Sequence, residues 1–166
     1  MMQHLQMPNR RRHAPFLSLI GAIGVLASTG LAQAGETLYE RMGGEAKLRA
    51  AVSEFTLIIQ ADDRINFTFA DTDLTKFKQL LFEQLCALSE GPCKYSGRDM
   101  RVAHAKLNIT NAQFNALAED LYLALDRVRV PYRLQNKLMA MLAPMQRDIV
   151  KPGFVPENGP APANVR

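Results

Sequence analysis

Four runs of apolar residues recur every three or four positions along this chain, and that period is the signature of helices with one buried face. Leu48, Val52, Phe55 and Ile59 form the first stripe, and Leu74, Phe77, Leu81, Leu85 and Leu88 the second. Phe114, Leu117, Leu121, Leu125 and Val128 form a third, and Leu134, Leu138, Met141, Met145 and Ile149 a fourth. No run alternates with period two for long enough to make a sheet, so the expected class is all-α. Local punctuation agrees. Thr110 and Gln113 are spaced for a capping box at the start of the third helix. Pro131 can end that helix and open the next, because a first-turn residue needs no N–H. The last two helices are expected to pack as an antiparallel hairpin.

The first 34 residues read as an address. Arg10, Arg11 and Arg12 precede an apolar stretch from Phe16 to Leu31, and Ala32-Gln33-Ala34 is a small-x-small cleavage site. The stretch holds three glycines and falls short of the ~20 residues that span a bilayer. Residues 1–34 are therefore expected to be a signal peptide, with no membrane association after cleavage. The mature chain is expected in the periplasm, with a folded domain over 35–150. Four prolines and two glycines within residues 151–166 predict a disordered tail.

Without the leader, the formal charge of +4 loses three arginines and no acids, which leaves 17 − 16 = +1. The remaining cations are interspersed with acids, which excludes the one-sided basic face of a nucleic-acid binder. Cys86 and Cys93 are the two cysteines. In an oxidising compartment they can pair, or they can stay two small, half-buried thiols, and spacing leaves both readings open. Cys-x-x-Cys-His is absent, so c-type haem attachment is excluded, as are four-cysteine zinc sites.

His4 and His13 fall in the leader, so His104 is the one histidine of the expected mature chain. Zinc spacings, serine-hydrolase motifs and phosphate loops are absent, and a Cys-His pair with Cys93 has no third, orienting group. One neutral imidazole does suffice as an axial ligand where a porphyrin supplies the other four nitrogens. It is equally at home as an ordinary core or surface residue.

The wider sequence bears on that choice. Leu38-Tyr39-Glu40-Arg41-Met42-Gly43-Gly44, then Gly91-Pro92-Cys93-Lys94-Tyr95-Ser96-Gly97-Arg98-Asp99-Met100 and Val102-Ala103-His104, resembles the group 1 truncated haemoglobins. Asp62-Asp63-Arg64-Ile65, Ile109-Thr110 and Leu142-Ala143-Pro144-Met145 fit the same family, and the likeness spans nearly all of 36–150. The resemblance implies a two-over-two helical sandwich around one haem b per chain. It implies His104 as the proximal iron ligand, Phe69 packed on the porphyrin with Phe67 as the fallback, Phe55 as the second-helix aromatic, Phe77 and Leu81 facing the gas, and Met100 on the proximal wall.

Three positions depart from the family. Thr56 stands where a tyrosine often donates a hydrogen bond to the bound gas, Glu90-Gly91 replaces a second Gly-Gly pair, and the leader lies outside the family's domain. The expected function is reversible binding of oxygen, nitric oxide or carbon monoxide. Nitric oxide dioxygenation or peroxidase-like turnover, fed by an external reductant, and haem storage or transfer are the alternatives. A ligand-binding protein is expected rather than an enzyme.

Overall fold

The computed structural model describes residues 35–151 and 153. The expected leader lies outside them, as does the expected tail apart from Lys151 and Gly153. The described residues contain helices and no strand: α1 (Leu38–Arg41), α2 (Gly44–Ala61), α3 (Leu74–Leu88), α4 (Met100–His104), α5 (Asn111–Arg127), α6 (Tyr132–Leu142) and α7 (Gln146–Ile149), with single 3-10 turns at Asn66–Phe69 and Ala143–Met145.

Each start has a local cause. Thr37 and Glu40 close a reciprocal capping box on α1, and Thr110 and Gln113 close the predicted one on α5, at 3.2 and 2.8 Å. The Asp73 carboxylate accepts from the Thr75 and Lys76 amides at the head of α3, and that of Asp99 accepts from the Arg101 amide at the head of α4. Gly43 turns the chain from α1 into α2 at φ 102°, a left-handed conformation that favours glycine.

α2 packs on α3 and α5, while α6 packs on α5 and α3, so two helix pairs lie one over the other as expected. Leu48, Val52, Phe55 and Ile59 are at most 2% exposed and meet Leu85, Leu121, Leu125, Leu134 and Leu138 in one core. Burying each such side chain is worth about 1.5–3 kcal/mol. The second stripe divides: Leu85 and its neighbour Phe82 are buried in the core, whereas Phe77 and Leu81 are only partly buried. The reason is a cavity on their side of α3.

The fourth stripe is not one helix. Pro144 has no N–H for the α-helical ladder and its ring crowds the carbonyl one turn back, so α6 ends at Leu142, one 3-10 turn follows, and α7 resumes at Gln146. Met141, placed in that stripe by period alone, is 38% exposed.

Candidate functional site

Between the α2–α3 pair and α4 to α7 lies a cavity of about 890 Å³. His104, Phe69, Phe55, Phe77, Leu81 and Met100 all line it. His104 is the last residue of α4, partly buried, and its Nδ1 is 2.8 Å from the carbonyl oxygen of Met100. With Nδ1–H donating to that carbonyl, the ring is held in one tautomer and Nε2 keeps its lone pair. α4 is thus a short, side-chain-capped helix that presents an imidazole to an apolar space.

The opposing α2–α3 wall is aromatic and aliphatic. Phe69 meets Phe77 edge to face at 5.3 Å between ring centroids, and Phe77 meets Phe55 at 6.4 Å. Phe69, the primary choice, lines the cavity; the fallback, Phe67, is 59% exposed and does not. Leu80 joins Leu81 on the wall. Sequence reading missed it, although its place three residues after Phe77 is the signal that could have found it.

Thr56 requires a correction. Expected beside the ligand, it is 3% exposed and absent from the cavity lining. Its hydroxyl donates to the Val52 carbonyl at 2.8 Å. A threonine in a helix reaches the carbonyl one turn back more easily than a space beyond its own backbone.

Few polar groups of the lining are free to turn inward. The Thr68 hydroxyl donates to the Ile65 carbonyl, that of Tyr95 to the Arg98 carbonyl, and the Gln84 amide to the sulfurs of Met100 and Met145. Lys76 and Arg98 line the cavity as exposed cations. Partial burial holds the Tyr95 phenol above its ordinary range.

Residues 89–99 deliver α4 to this site. Cys86, fully buried at the end of α3, is bonded to Cys93, with their Cα atoms 5.7 Å apart. Of the two readings left open by spacing, the structure has the bridge. A second tie joins the same elements: the Glu83 carboxylate accepts from the amide and hydroxyl of Ser96, at 3.0 and 2.6 Å. Those bonds hold Glu83 below the usual carboxylate range. Gly91 fits beneath them because it has no Cβ, which would stand 2.7 Å from the Cys86 sulfur and 2.8 Å from the Tyr39 ring.

At the far end of α2, Asp62 and Arg64 pair at 2.7 Å, and Arg64 reaches Glu119 at 2.6 Å. Asp120, buried on α5 beside them, keeps Oδ2 without a hydrogen-bond partner. Burial, and then the neighbouring Asp62, push the Asp120 carboxyl up to about 6, while Arg64 holds Asp62 below the usual range. No group of three or more His, Cys, Asp or Glu among the described residues can hold a metal ion. No described helix is long and apolar enough to cross a membrane.

Residues 37–151 match the family described as bacterial-like globin. The chain is 30% identical over 115 residues to a group 1 truncated haemoglobin of Tetrahymena pyriformis, covering 69% of this chain and 95% of that one. It is 37% identical over 109 residues to one from Synechocystis, covering 63% and 88%. Among solved structures, the Tetrahymena pyriformis truncated haemoglobin in its Fe(III) form is similar with a TM-score of 0.67 and 30% identity, over 69% of this chain and 98% of that one. A 2/2 haemoglobin from a Synechococcus species, in the cyanomet state with covalently attached haem, gives 0.66 and 31% over the same shares.

Proposed function

Because the chain belongs to the bacterial-like globin family, and within it to the group 1 truncated haemoglobins, we propose that it holds one haem b in its cavity and binds a diatomic gas there reversibly. The observation that carries this reading is the bond between His104 Nδ1 and the Met100 carbonyl, which orients a cavity-lining imidazole and leaves Nε2 as the nitrogen for iron.

The lining suits an amphiphilic macrocycle. Phe69 and Phe77 offer ring edges and faces to a flat apolar body, Phe55 backs them, and Met100 flanks the imidazole. Lys76 and Arg98 are the cations that would meet its carboxylates. The lining has no free thiol and no second imidazole to form a covalent link, which favours haem b. Haem bound there would supply an iron with a position for oxygen, nitric oxide or carbon monoxide. Phe77, Leu80 and Leu81 would keep water from that position and place no hydrogen-bond donor beside it.

Nitric oxide dioxygenation or peroxidase-like turnover would draw electrons from an external reductant, and haem storage or transfer would use the same cavity. Export to the periplasm is part of the proposal: the leader-like residues 1–34 support it, and so does the intrachain disulfide, a bond that persists in oxidising compartments.

The visible spectrum of the purified protein tests the reading. A Soret band that shifts on reduction and again with carbon monoxide is expected, with the pigment extractable into acid acetone. A chain that stays colourless when supplied with haem would overturn it. Finding the protein only in the cytosolic fraction would overturn the export proposal alone.

A further inference from the structure

We propose that the Cys86–Cys93 bond is a redox latch on the cavity, and that its reduction by a dithiol frees the segment carrying His104 and speeds the loss of haem. The inference rests on the reading that His104 holds haem in this cavity.

The bond sits at a boundary. Before it, the turn is fixed from several sides: the Gly91 amide donates to the Cys86 carbonyl, and the Tyr39 amide to the Ser89 carbonyl, each at 2.8 Å. After it, residues 94–99 form neither helix nor strand, yet Tyr95, Ser96, Gly97 and Arg98 are part of the cavity wall. They lead into α4, whose five residues are too few to be stable alone.

The other ties on this segment are weaker. Glu83 and Ser96 are joined at an exposed site, where water competes for the same bonds. The Gln84 amide reaches Met100 only through a thioether, a poor acceptor. On its other side α4 contacts α7, where Arg101 pairs with Asp148 across an exposed surface. Besides the main chain, the disulfide is the one covalent tie between α3 and the segment among the described residues.

The two sulfurs differ in access. Cys86 is fully buried and Cys93 partly exposed, so a reductant's thiolate attacks Cys93 Sγ. A mixed disulfide forms there and the Cys86 thiolate departs and takes up a proton. The reductant's second thiol then displaces Cys93, which leaves two thiols on the chain and one disulfide on the reductant. Two electrons pass from the dithiol to the chain. A dithiol is the more effective reductant because its second thiol resolves the mixed disulfide before Cys86 re-attacks.

The test compares the oxidised protein, the dithiothreitol-reduced protein and the Cys86→Ser/Cys93→Ser variant, each loaded with haem in the ferric state. Transfer of haem to excess apomyoglobin is expected to be about tenfold faster without the bond, a fraction of the ordering a short cross-link can supply. In the haem-free proteins, trypsin should cut after Lys94 and Arg98 only where the bond is missing. If the variant fails to fold, the reduced wild-type chain supplies the comparison. Equal rates of haem transfer with and without the bond would overturn the latch, whatever trypsin does. A chain that takes up no haem fails differently, by showing no Soret band, and removes the haem reading and the latch together.

Discussion

The Nδ1 atom of His104 lies 2.8 Å from the carbonyl oxygen of Met100, one turn back along α4. That helix is capped by Asp99, so its register and the direction of the imidazole are set by the same five residues. Replacing the ring with a smaller side chain removes the nitrogen and leaves a gap of matching shape. His104→Gly should lose its haem or hold it weakly, and added imidazole should restore a spectrum like that of wild type. An unaltered spectrum in this variant, with no imidazole added, would show that another residue ligates the iron.

The wall proposed to face the gas leads to a second prediction. Phe77, Leu80 and Leu81 carry no donor, and the Thr56 hydroxyl is spent on the Val52 carbonyl. Bound oxygen carries partial negative charge and gains from a donor, whereas carbon monoxide gains little. Leu81→Gln, which adds a donor to the wall, should slow oxygen release roughly threefold to tenfold, the value of one hydrogen bond of about 0.5–1.5 kcal/mol. Carbon monoxide release should stay nearly constant. Thr56→Val should leave both off-rates within about twofold of wild type, because less than one hydrogen bond is at stake. Ligand-replacement kinetics measure all of these, and a large oxygen effect in Thr56→Val would return that residue to the gas pocket.

Asp120 and Asp62 make a pH prediction. The Asp120 carboxyl is raised from 3.8 to about 6 by burial and by Asp62. A raised folded value means that its contribution to stability is fully present below the unfolded value of ~3.9 and is lost as pH rises through about 6. Asp62 is lowered, chiefly by Arg64, so its contribution is lost in the opposite direction, as pH falls below the ordinary carboxylate range. Asp120→Asn keeps a neutral side chain at every pH. The gain of its urea midpoint over wild type should be small near pH 4 and larger at pH 8. Equal offsets at both pH values would mean that Asp120 does not titrate in that window.

Gly91 gives a prediction about packing. A Cβ there would lie 2.7 Å from the Cys86 sulfur and 2.8 Å from the Tyr39 ring, and neither neighbour is the free end of a flexible chain. Gly91→Ala should destabilise the protein by about 1–3 kcal/mol, the usual range for overpacking a filled site. Gly35→Ala, with open space around it, is the control for urea unfolding.

Much of this protein is legible in its sequence because much of it is local. Helical period selects a face, so Leu48, Val52, Phe55 and Ile59 were placed in the core by spacing alone. Capping is a matter of three residues, and Thr110 with Gln113 forms the expected box. The resemblance carried the fold and the family, and the residues it marked as site residues, apart from Thr56 and the fallback Phe67, converge on one cavity.

Tertiary structure decided whatever depends on two distant surfaces meeting. Thr56 and Phe55 are adjacent in sequence, yet only Phe55 reaches the cavity, because successive helical residues point about 100° apart and the position of α3 selects between them. Spacing could not decide whether Cys86 and Cys93 bond; the turn at Gly91 against Tyr39 brings their Cα atoms to 5.7 Å. Asp120 reads as one more polar residue on an amphipathic helix until α2 packs on α5 and buries it beside Asp62. A period reports which residues turn away from water, whereas the partner each one finds is fixed by the packing of elements far apart in the chain.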